Sequence, residues 1–311
     1  MSTEYASHLT TANGTTIAWY ELGDGPPLVL LHGLADSHRT WRFVAPQLAK
    51  HFHVYMLDLP GHGLSARPPD APYTLPWYAD TVLQWMDAVG LERAHICGHS
   101  YGGGIAQWML LENRHRINRL ALVAAGGLGK EVGTLLRLAA LPFVAPFLES
   151  RLFGPVSSLM MRYIYRSSAN RDQLRRLVRW NGAPNSGLAF RRTVAACIGF
   201  SGQFLQTWQH IHKVKSLPPI AVFWGARDSI IPVSHAHDAA KRLGRLTMTI
   251  YPQCGHCLHA EEPDRFASDL SRFLLERGRK SARLLPELAR AGAALVAKAG
   301  RVELPQPAHA R

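Results

Sequence analysis

Residues 98–102 read Gly98-His99-Ser100-Tyr101-Gly102, between a short apolar run, Ala94-His95-Ile96-Cys97, and a helical stretch from Tyr101 to Glu112. This pattern asks for a strand that turns at once into a helix. Glycines at 98 and 102 remove the side chains that would clash in so sharp a turn. Such an elbow lifts the Ser100 hydroxyl above the end of a sheet and aims it outward. Gly103, Gly104 and Ala106 let the helix pack close to the sheet. The pentapeptide alone recurs by chance; its strand and helix flanks carry the inference.

The rest of the chain supplies strands for such a sheet. Strand and helix signals alternate, which argues for an α/β architecture. Asn13-Gly14 lies between two alternating segments, a hairpin turn signal. Leu28–Leu31 and His53–Leu57 are apolar runs of buried-strand length, ending at His32-Gly33 and at Asp58. A helix is predicted over about 74–89, strands over 119–124, 220–224 and 247–251, and helices over about 233–243 and 263–277. Between Gly126 and Leu217 the rhythm breaks. The pattern there is helical, with no clear strand, and Pro142, Pro146, Pro155 and Pro184 divide it into short pieces. The predicted organisation is a core over 1–125, an inserted helical cap over 126–217, the rest of the core over 218–277, and a basic tail over 278–311. No internal repeat is visible.

Length and composition narrow the class. A chain of 311 residues with 47% apolar residues buries a full core, and one domain with an insertion fits that length. There is no apolar run of 18 or more residues, so a spanning helix is not expected. The start, Met1-Ser2-Thr3-Glu4-Tyr5, lacks a secretory pattern. Cysteines at 97, 197, 254 and 257 do not make a disulfide framework, and a cytoplasmic location is expected. The net charge is +13. It is not one dense block: arginines are scattered through 162–192 and concentrate again after Arg277. No nucleic-acid motif accompanies them, so the excess is read as solvated surface. The tail holds a short amphipathic candidate helix, Leu288–Val296. It is read as a solvated basic tail, with a weak membrane or partner contact as the alternative.

A serine hydroxyl becomes a nucleophile only when a base takes its proton, and that base must be held in one tautomer by an acid. Asp228 stands just past the 220–224 strand, and His256 follows the next strand in Cys254-Gly255-His256. Strand ends at one edge of a parallel sheet converge, so Ser100, Asp228 and His256 can meet. His259, three residues on, is expected to lie in the same loop and support the site. The transition state of acyl transfer also needs two N–H donors for the oxyanion. Tyr101, first in the helix after Ser100, supplies one; Leu34, in the loop after Leu28–Leu31, supplies the other. Gly33 permits the tight turn in that loop and His32 braces it.

These pieces together resemble the α/β-hydrolase superfamily, in its cap-bearing, epoxide-hydrolase-like branch. The matching stretches are Leu31-His32-Gly33, Asp58 to Ser65, Gly98 to Gly103, Trp224 to Asp228 and Gly255-His256. The resemblance implies an eight-stranded, mostly parallel sheet flanked by helices, and cofactor-free hydrolysis through an acyl-enzyme on the order Ser100, Asp228, His256. It leaves Asp58 a structural part of its loop. Relatives that open epoxides or remove halide generally carry aspartate at the position of Ser100. Serine suits attack on a carbonyl, so an esterase acting on a small-molecule ester is expected. The same triad also serves carbon–carbon bond hydrolases, acyltransferases and perhydrolases. A non-catalytic binding member of the fold is the reading from another class; the filled triad argues against it.

The cap is expected to form the substrate pocket, with Phe143, Phe147, Met161, Phe204 and Trp208 as lining candidates, and Met160, Tyr163 and Phe200 beside them. Their apolar character favours hydrophobic acyl or aromatic substrates. Arg191 and Arg192 could meet a substrate carboxylate, although a solvated face is the plainer reading. Cys254-Gly255-His256-Cys257 also spells a disulfide-isomerase redox site. Its place near the end of a long chain, and the demand of the triad on His256, argue against redox use. Zinc is not expected either, because no second ligand pair has the spacing.

Overall fold

The computed structural model describes residues 5–150, 152–165 and 171–276, with the side chains of Arg171, Trp208 and His212 left aside. The tail from residue 277, with its predicted helix, lies outside the described residues. Among the described residues ten strands run in chain order. β1 (Ala6–Ala12) and β2 (Thr15–Leu22) form the hairpin at Asn13-Gly14, whose φ angles of 49° and 68° suit that turn. β3 (Pro27–Leu31), β4 (His53–Leu57), β5 (Ala94–His99) and β6 (Ile117–Val123) follow. Next come the two-residue β7 (Ile198–Gly199) and β8 (Gly202–Gln203), then β9 (Ile220–Gly225) and β10 (Thr247–Tyr251).

Eight of these make one sheet in the order β1-β2-β4-β3-β5-β6-β9-β10, with β7 and β8 paired separately. β1–β2 and β2–β4 are antiparallel and every other pair in the large sheet is parallel. Leu28 to Leu31 are wholly buried. A parallel strand covered on both faces reads as a continuous apolar run rather than an alternation. After β3 the chain places β4 on one side and β5 on the other. That reversal opens a crevice at the carboxyl ends of β3 and β5, where α/β sheets bind ligands.

Eleven α-helices accompany the sheet among the described residues: α1 (Ala45–Leu48), α2 (Leu75–Ala88), α3 (Tyr101–Glu112), α4 (Thr134–Ala139), α5 (Ala145–Leu148), α6 (Phe153–Tyr165), α7 (Arg171–Asn181), α8 (Ser186–Ala195), α9 (Ser234–Leu243), α10 (Leu258–Glu261) and α11 (Pro263–Leu275). α3 packs on β5 and beside α2. Helices α4 to α8 all fall between β6 and β9, where the prolines cut the sequence. Pro142 and Pro146 sit in the first turns of short helices, where a missing N–H costs nothing. The β7–β8 pair in this stretch is a departure from the strand-free expectation. Its turn rests on Gly202 at φ 114°, and two residues per strand are too few to show an alternation. No helix among the described residues is long and apolar enough to cross a membrane.

Candidate active site

Ser100 stands between β5 and α3 with φ 54° and ψ −116°, a conformation that disfavours a Cβ. It is held from several sides. Its N–H donates to Val123 O at 2.9 Å, and its carbonyl accepts from the N–H groups of Gly103 and Gly126, both at 3.0 Å. The glycines around it answer to close backbone. A Cβ on Gly98 would lie 2.3 Å from Gly102 O, and one on Gly102 would lie 2.5 Å from Leu31 O. The sequence thus folds locally as an elbow because only glycine fits at these two points. Tyr101 is the first residue of α3, so its N–H is among those a helix leaves without an intrahelical acceptor.

Asp228 and His256 come together as the strand order predicts. His256 Nδ1–H donates to Asp228 Oδ2 at 2.8 Å, and both side chains are buried. The other carboxylate oxygen, Oδ1, accepts the N–H groups of Ile230 and Ile231 at 2.8 and 2.9 Å. Asp228 therefore fixes its own turn with one oxygen and the imidazole with the other. Ser100, His256, Gly33 and Leu34 line one small cavity of about 30 Å³. No hydrogen bond to Ser100 Oγ or His256 Nε2 occurs among the described residues.

Hydrogen bonds tie the loops around the elbow together. Leu59 N–H donates to His32 Nε2 at 2.9 Å, which leaves the ring proton on Nδ1 to donate to Gly33 O at 2.7 Å. His32 is thereby a neutral brace between two loops, its pKa lowered chiefly by burial. Asp58 accepts from His38 Nδ1 and from the N–H groups of His38 and Leu64, and so ties its loop together. A Cβ on Gly33 would lie 3.1 Å from Ser100 Cβ, so this loop runs directly over the serine.

His259 lies in α10 rather than in a loop, and it belongs to a buried chain that sequence reading missed. His259 Nε2 and Thr40 Oγ1 are 2.8 Å apart, Thr40 Oγ1 and the Tyr165 hydroxyl 2.6 Å, and Tyr165 donates to Asp36 Oδ2. With Tyr165 donating to Asp36, Thr40 donates to Tyr165 and His259 to Thr40. Burial raises the Asp36 carboxyl above its usual range and lowers His259 to about 3. Asp36 faces the Ser100 cavity, and Cys257 lines it too. The only sequence hint to Asp36 is its place two residues after Leu34, in the loop assigned to the oxyanion; nothing local points to Tyr165.

The cap candidates divide. Met161 lines the Ser100 cavity with Met160, Ile164 and Ile230. Phe147 lines a second, apolar cavity of about 190 Å³ between α4, α5, α6 and α8, and Met160 lines both. Phe143 and Phe204 are corrections: they are 78% and 57% exposed and line neither cavity, because each sits on the outward side of its short segment. The Trp208 side chain lies outside the described residues. Arg191 is paired with Glu149, and Arg192 donates to the carbonyls of Pro69 and Ala71, so neither faces the cavity. Cys254 and Cys257 are free, buried thiols; burial pushes Cys254 up to about 12, and it donates to Glu262. No group of three His, Cys, Asp or Glu side chains placed to hold a metal ion occurs among the described residues.

A parallel sheet with a serine elbow at its topological switch, and an Asp–His pair at the next strand ends, is an α/β-hydrolase arrangement. The sequence model of the alpha/beta hydrolase fold matches residues 26–263, and the chain belongs to that family. It is 31% identical over 273 residues to an uncharacterized protein of Mycobacterium tuberculosis, covering 85% of this chain and 80% of that one. It is 29% identical to the 2-hydroxymuconate semialdehyde hydrolase of a Pseudomonas species (85% and 92% covered). It is 26% identical to the pimeloyl-[acyl-carrier protein] methyl ester esterase of Aeromonas hydrophila (81% and 96% covered).

Proposed function

We propose that this hydrolase cleaves carboxylic esters with hydrophobic acyl or aromatic groups, through an acyl-enzyme on Ser100. His256 Nε2 takes the Ser100 proton as the oxygen attacks the carbonyl, and then delivers it to the leaving alcohol. Asp228 keeps the His256 Nδ1 proton in place and stabilises the imidazolium that forms. The N–H groups of Leu34 and Tyr101 receive the oxyanion. Water, activated by the same histidine, then releases the acid. A cytoplasmic place of action belongs to this reading and is supported by the four free cysteines.

The observation that carries the ester reading over carbon–carbon cleavage is the charge of the cavity. Its described lining includes Asp36 and no lysine or arginine. A substrate carrying its own carboxylate beside the scissile bond would meet no cation there to offset its charge, in surroundings whose burial already raises the Asp36 carboxyl. A neutral ester meets no such penalty, and the apolar cavity beyond Met160 offers room for its acyl group. The test is a series of nitrophenyl esters, acetate to long-chain, with Ser100→Ala beside the parent chain. Turnover that vanishes in the variant supports the reading. An inactive parent protein that cleaves a keto-acid carbon–carbon bond instead would overturn it.

A further inference from the structure

The positive charge of this chain is not evenly placed. Residues 126–217 contain thirteen Lys and Arg against three Asp and Glu, so they carry ten of the thirteen net positive charges. The same segment holds most of the large apolar side chains exposed among the described residues. On α6 these form a stripe. Leu152, just before the helix, then Val156, Leu159 and Tyr163 follow the i, i+4, i+7, i+11 spacing of one helix face, and all four are exposed. Helix α4 buries none of its residues and exposes Leu135 and Leu138. Leu135, Leu138, Phe147 and Val156 also line the apolar cavity of about 190 Å³, so that cavity opens within this patch.

Cations are interleaved with the patch. Arg137 lies between Leu135 and Leu138 in α4, its guanidinium 5.3 Å from the centre of the exposed Phe200 ring. Arg162 lies between Leu159 and Tyr163 in chain order and is exposed. α7, packed along α6, exposes Arg175, Arg176 and Arg179. Arg176 is paired with Asp172 at 3.0 Å, whereas Arg162 and Arg179 make no ion pair among the described residues.

An apolar patch rimmed by arginines, Arg162 and Arg179 among them without an ion pair, combines two demands. The apolar side chains gain by leaving water, and the arginines gain by meeting fixed negative charge. We infer that this face of the helical insertion docks on an anionic phospholipid bilayer. Leu159, Tyr163 and their neighbours enter the headgroup boundary, while Arg162 and Arg179 contact the phosphates. A second copy of the chain suits the patch less well, since it would bring the same positive charge against itself. The inference is independent of which bond Ser100 cleaves, and Ser100→Ala should dock as the parent does.

Flotation of the full chain tests it, with vesicles of equal parts phosphatidylcholine and phosphatidylglycerol beside vesicles of phosphatidylcholine alone. Binding to the anionic vesicles, weakened by salt, is expected. Arg162→Gln and Arg179→Gln should each lower the partition coefficient about fivefold, and Leu159→Ser with Tyr163→Ser should lower it further. Thermal melts of the variants matching the parent would exclude misfolding as the cause. Equal binding to both vesicle types would overturn the inference, as would binding that the insertion variants leave unchanged. A lipid-free dimer that Leu159→Ser dissolves would overturn it in favour of self-association.

Discussion

Acid should destabilise this fold steeply, and two histidines allow the size of the effect to be worked out. His62 and His259 are buried, and burial lowers both imidazoles from 6.5 to about 3. The folded state holds them neutral, while the unfolded chain protonates them below its ordinary value. Between about pH 6.5 and pH 3 the unfolded state therefore binds more protons, and stability falls as pH falls. From pH 7 to pH 5 each histidine contributes a loss of about 2 kcal/mol, and the pair about 4 kcal/mol. That is a large share of the roughly 5–15 kcal/mol that holds a domain folded. Burial lowers His32 and His99 in the same direction, whereas Asp36, raised by burial, works the other way. Urea unfolding followed by tryptophan fluorescence at pH 7, 6 and 5 measures the total. His259→Gln, which can still donate to Thr40, isolates one member. The variant should lose about 2 kcal/mol less than the parent over that range. Equal losses in parent and variant would refute the reasoning.

Other outcomes follow from single contacts. In Asp228→Asn, the oxygen is held by Ile230 and Ile231 N–H, so the amide group turns its NH₂ to His256. Nδ1 must then accept, the proton moves to Nε2, and kcat should fall about 10³–10⁴-fold with little change in KM. In Gly102→Ala, the new methyl meets backbone oxygens of Leu31 and His32 at 2.5 and 2.6 Å, which cannot give as a side chain would. A loss of about 1–3 kcal/mol in denaturant unfolding is expected, with activity falling further because the Leu34 loop is pushed from Ser100. Cys254 and Cys257 should react with an aromatic disulfide reagent only slowly in the native protein and rapidly in urea, since both thiols are buried and raised in pKa.

What the sequence made legible follows from how local the cause is. Gly98 and Gly102 announce the elbow because the clash they avoid lies within a few residues. Leu28–Leu31 announces β3 because a strand covered on both faces must be apolar throughout. Asp228 and His256 could be chosen among many acids and sixteen histidines because each ends a strand. Asp36 and Tyr165 were not legible, since they meet across 129 residues and only packing brings them together. Phe143 and Phe204 misled for the related reason that an aromatic side chain carries no record of which way a short helix or loop will turn it. β7 and β8 were too short to leave a pattern.

The backbone of Ser100 sets its hydroxyl against the stability of the fold. A residue with a Cβ at φ 54°, ψ −116° is held there at a cost of about 1–3 kcal/mol. Glycine would relax into the same geometry. Ser100→Gly should therefore melt at a higher temperature than the parent while losing the proposed nucleophile. The rise in melting temperature would measure directly what holding a side chain at the elbow costs the fold.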